Sequence, residues 1–70
     1  MKFVVSSADE WESSDWRWTV RKIEQDEYAL YDNADEVGFV GDFPSLDLAQ
    51  RYAHHVNDHE AATMSMFRGR

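Results

Sequence analysis

The sequence predicts an α+β domain: a three- or four-stranded antiparallel meander packed on one face by a single C-terminal helix. Three observations carry this. The stretch "WRWTVRKI" (residues 16–23) alternates, with Trp16, Trp18 and Val20 on one side and Arg17, Thr19 and Arg21 on the other, the two-residue period of a strand. Two polar connections, "EQDE" (24–27) and "NADE" (33–36), separate it from the apolar runs that follow, at hairpin length. After Pro44 the period changes to that of a helix.

In chain order, "KFVVS" (2–6) is β-branched and aromatic and reads as a short edge strand. The strip "SSADEWESSDW" (6–16) is rich in serine and acid and reads as solvated, although it contains Trp11. Trp11 is then either a lid folded over the sheet or an anchor for a partner. Residues 16–23, 28–32 and 37–41 form the meander, with Gly38 at a bulge or close approach. Ser45 is a good N-cap and Asp47 suits the positive end of the helix dipole. Leu48, Ala49, Tyr52, Ala53 and Val56 share one side of a helix running to about residue 60. Residues 61–70 either extend it or form a tail, and Met64, Met66 and Phe67 there can close the core or build a homodimer contact. The expected core joins Trp16, Trp18 and Val20 to Leu48, Tyr52 and Val56.

At 70 residues the chain is one small domain, residues 1–70, close to the size at which a single core is marginal. It has no cysteine, so packing of its three Trp, three Tyr and four Phe must supply stability. The lack of cysteine favours a reducing, cytoplasmic setting. Its apolar runs are too short to span a membrane, and "MKFVVSS" is too short for a signal peptide.

The net charge is −7 and unevenly spread. Asp9, Glu10, Glu12 and Asp15 crowd the serine strip, and Glu24, Asp26, Glu27, Asp32, Asp35 and Glu36 crowd the middle. Such a chain repels nucleic acid and anionic membranes and attracts basic surfaces. The plainer explanation is solubility, or a structural role in a salt-rich cytoplasm. In the expected topology the serine strip joins the 33–36 turn at one end of the sheet, about 20–25 Å from the acids at the other end. Asp9, Glu10, Trp11, Glu12, Asp15, Asp35 and Glu36 are therefore the candidate partner-binding residues. A basic-aromatic stripe of Arg17, Arg21 and Tyr31 is the alternative, for a small nucleic-acid-associated module.

His55 and His59 stand four apart, a spacing that lets one helix face offer two ligands to a metal. A structural site wants four, so neither metal nor cofactor is expected. No phosphate loop or nucleophile constellation is present, and the chain is read as a non-enzyme.

In size and charge, a short, acidic, cysteine-free, aromatic-rich domain resembles small phage-encoded inhibitors of the anti-CRISPR and anti-defence kind. The resemblance implies a protein that occupies a basic, nucleic-acid-handling surface of a partner protein, as a DNA mimic does.

Overall fold

The computed structural model describes residues 1–68, with side chains described over 1–61. Five strands are followed by one helix: β1 (Phe3–Ser7), β2 (Glu10–Ser13), β3 (Trp18–Glu24), β4 (Glu27–Asp32), β5 (Phe39–Phe43) and α1 (Leu46–Arg68). The strands form one antiparallel sheet in the order β1-β2-β3-β4-β5. The meander and its single covering helix are as the sequence predicts, with one strand beyond the expected three or four.

The additional strand is β2, inside the serine-acid strip. Glu10, Trp11, Glu12 and Ser13 alternate in the sense of a strand, and the acids mark the wet side. Trp11 opposes Val20 of β3 and lies 6.0 Å from the Tyr28 ring, packed against the rim of the core. It is thus a strand residue on the helix side of the sheet, neither a loop lid nor a free-standing anchor.

The core is Trp18, Val20 and Leu30 from the sheet and Ala49 and Ala53 from the helix. Both alanines are 0% exposed, whereas Leu48 and Tyr52 are 42% exposed. This corrects the expected stripe of Leu48, Tyr52 and Val56. The large sheet residues fill the space, so alanine occupies the line of closest approach and the larger helix residues flank it. Val56 packs partly against the core, and Tyr52 reaches Phe43 at 5.5 Å. Ser45 caps the helix, its hydroxyl accepting the Leu48 N–H at 3.2 Å. The helix continues through Met64, Met66 and Phe67 to Arg68, and the contacts expected of their side chains lie outside the described side chains.

Trp16, expected in the core, is 75% exposed with φ 66°. A corner built by Ser13 and Asp15 displaces it. The buried Ser13 hydroxyl accepts the Trp18 N–H at 2.9 Å and donates to Asp15 at 2.5 Å, while Asp15 accepts the Arg17 N–H at 3.1 Å. The strand therefore begins at Trp18, and the alternation beginning at Trp16 runs through a turn before it reaches the sheet. Gly38 also has positive φ, 84°, where a side chain would strain the backbone, and its carbonyl accepts the Asp32 N–H at 2.6 Å.

Candidate functional site

One face of the sheet lies under α1 and the other is open. Pairing arranges the open face in cross-strand rows. Val4, Glu12, Thr19, Tyr31 and Phe39 oppose one another in sequence across all five strands. The next row runs Glu10, Arg21, Ala29 and Asp42. Neighbouring strands are about 4.8 Å apart, so the first row extends roughly 19 Å.

Arg21 is the one cation that the strands direct onto this face, among the described residues. Its Nε donates to Glu10 at 2.8 Å, and its guanidinium lies 5.7 Å from the Tyr31 ring centroid. Tyr31 and Phe39 meet edge to face at 5.8 Å. Glu10, Glu12, Thr19, Arg21 and Tyr31 line an open hollow of about 420 Å³, closed at one end by the segment from Asn33 to Gly38. Asn33 donates to Thr19 at 2.9 Å and holds that wall in place.

Farther along the face, the Glu27 carboxyl shares a hydrogen bond with Asp42, and the neighbouring negative charge adds to it, raising the Glu27 pKa. Two like charges are held together at the surface of an already acidic chain.

The expected partner-binding set is divided by the fold. Glu10 and Glu12 are on the open face, and Trp11 is on the helix side. Asp9 turns at the end of the sheet near Glu24 and Gln25, where its carbonyl accepts the Lys22 N–H at 2.8 Å. Asp15 lies at the opposite end with Asp35 and Glu36, because Arg17 and Asn33 bond across that end at 2.6 Å. The serine strip therefore does not gather at one end of the sheet: becoming a strand carries its acids from one end to the other.

The alternative stripe of Arg17, Arg21 and Tyr31 is divided too. Arg21 and Tyr31 are neighbours on the open face, but Arg17 precedes β3 and turns to the helix side. There it stacks over Trp18 at 4.6 Å and bonds Asp32, Asn57 and Glu60. Those bonds, led by Asp32, raise its pKa further and lower those of Asp32 and Glu60. Asp15 is lowered as well, chiefly by the Ser13 hydroxyl.

His55 and His59 are exposed, with near-parallel rings 6.5 Å apart. No group of three or more His, Cys, Asp or Glu able to hold a metal occurs among the described residues. No helix among them is long and apolar enough to cross a membrane.

Sequence reasoning missed Glu27, Asp42 and Phe39 as members of the open face. Glu27 is legible in the alternation Glu27, Ala29, Tyr31. Phe39 and Asp42 are an odd number of residues apart, and only the irregularity in the β4–β5 pairing puts them on one side. No family model, curated protein or solved structure matches this chain, so the chemistry of its open face carries the functional reading.

Proposed function

We propose that this chain is a non-enzymatic binding module that lays its open sheet face on a basic surface of a partner protein. The observation that supports it most is the charge of that face. Among the described residues of the strands, Glu10, Glu12, Glu27 and Asp42 stand there against Arg21, which is already paired with Glu10. A rigid sheet presents these carboxylates in rows, while Tyr31 and Phe39 supply contact area at low entropic cost. A surface that normally grips phosphates offers the complementary cations, so the preferred partner is a nucleic-acid-handling protein, and occupying it inhibits that protein. This is the mode that the likeness to anti-defence inhibitors implies.

Binding to an immobilised arginine- and lysine-rich DNA-binding protein tests the reading. The expected result is association that weakens as salt rises and is competed by duplex DNA. The combined change Glu10→Gln, Glu12→Gln, Glu27→Gln and Asp42→Asn should slow association at least about tenfold. Unchanged association of this variant, or direct binding of the unaltered chain to oligonucleotides, overturns the proposal.

A further inference from the structure

The open face already holds one guanidinium. Arg21 lies between the Tyr31 ring and the Glu10 carboxylate, at 5.7 Å and 2.8 Å respectively. An aromatic face and a carboxylate are the two groups that recognise a planar cation. Beside Arg21 the hollow continues over Thr19 to Glu12 and Asp35. Neither of these carboxylates has an ion-pair partner among the described residues. Asp35 accepts the Val37 N–H through one oxygen, at 3.2 Å, and its second oxygen has no hydrogen-bond partner among the described residues. Phe39, half exposed and edge-on to Tyr31, extends the aromatic wall on the same row.

We infer that this hollow receives an arginine side chain of the partner, its guanidinium against the Tyr31 ring, which Phe39 backs edge-on from β5, and between Glu12 and Asp35. The inference rests on the open-face reading above and adds which side chain is read. Arginine suits the site better than lysine for three reasons. Its planar head stacks on a ring and its fork bonds two carboxylates at once. It is also more weakly hydrated, so it loses less on leaving water for an open, half-aromatic site. An ammonium is satisfied by Glu12 alone and gains little from the ring. A phosphate or carboxylate is repelled by Glu12 and Asp35, and an apolar group would meet the Tyr31 ring but leave both carboxylates without a counter-charge. Arg21 serves as an internal template: its own stacking on Tyr31 sets the ring where a second guanidinium can share the aromatic pair.

Two blocked hexapeptides, Gly-Arg-Gly-Arg-Gly-Arg and its lysine counterpart, are the probes, titrated into the isotope-labelled protein and followed by amide chemical shifts. Both carry the same charge. The expected shifts centre on Glu12, Thr19, Tyr31 and Phe39, with the arginine peptide bound about threefold to fivefold more tightly. Tyr31→Leu should remove that preference and Tyr31→Phe should keep it, while Glu12→Gln should weaken the arginine peptide more than the lysine peptide. Should Tyr31→Leu fail to fold, the comparison of the two peptides on the unaltered protein still decides. Equal affinity for both peptides at this face overturns the arginine inference and leaves the broader acidic-face proposal standing. No shifts on the face with either peptide overturn both.

Discussion

Arg17 grips Asp32 through two parallel hydrogen bonds, Nε to Oδ1 at 3.1 Å and Nη2 to Oδ2 at 2.9 Å. The same guanidinium reaches Glu60 on α1 and covers the Trp18 ring. One side chain therefore joins the end of β4, the start of β3 and the middle of the helix. Asn57 completes the junction by accepting the Trp18 indole N–H at 3.2 Å. Replacing Arg17 with Leu leaves Asp32 with a single backbone donor, Ala34, and should cost about 1–2 kcal/mol, discounted for the water that reaches Glu60. Glu60→Gln, at the exposed end of the junction, should cost clearly less than Arg17→Leu. Urea unfolding of the two variants checks the order, and equal losses would show that the helix contact, not Asp32, carries the junction.

The acid limb of stability follows from the same groups. Asp15, Asp32 and Glu60 are held below their ordinary pKa values by hydrogen bonds from Ser13 and Arg17. The unfolded chain therefore takes up protons at these carboxyls before the folded one does. The stability they contribute is complete above the ordinary carboxylate range and is lost as pH falls from about 4 downward. Thermal melts between pH 6 and pH 2 should show this fall, and Arg17→Leu should flatten it.

Trp16 and Trp18 should behave as opposites. Trp18 is 1% exposed and central to the core, so Trp18→Ala should cost about 3–5 kcal/mol, a large part of what a domain of this size possesses. Trp16, exposed on its turn, should tolerate Ala within about 0.5 kcal/mol. Circular dichroism of both variants on heating separates them.

Glu27 and Asp42 oppose stability at neutral pH, because a raised carboxyl pKa means that the fold favours the protonated form. Asp42→Asn should raise the melting temperature at pH 7 and have a smaller effect at pH 4. If the strained pair serves partner binding, the same change should weaken that binding while the free protein grows more stable. A lower melting temperature at pH 7 would mean that the two carboxylates do not oppose the fold.

Much of the fold is legible along the chain. The alternation through Trp18 and Val20, the hairpin-length connections and the Ser45 cap are local signals, and local geometry obeys them. The acidity, the absence of cysteine and the aromatic content are likewise properties of the chain before it folds, and the acidity is what first suggests the basic partner proposed above. What the sequence left ambiguous depends on contacts between distant segments. Strip 6–16 looks solvated because its acids outnumber its apolar groups, yet opposite Val20 the same alternation makes a strand. Trp16 matches the phase of Trp18, but Ser13 and Asp15 bond the backbone between them into a corner. Arg17 matches the phase of Arg21, but Asp32 and Glu60, far away in sequence, draw it to the helix side. The open face itself, with Glu12, Tyr31 and Phe39 in one row, exists only because four strand registers and one pairing irregularity line them up. Periodicity is set by neighbours along the backbone, so one sequence can reveal it; register and side-chain partnership are set by which segments meet in space, and only tertiary structure decides that.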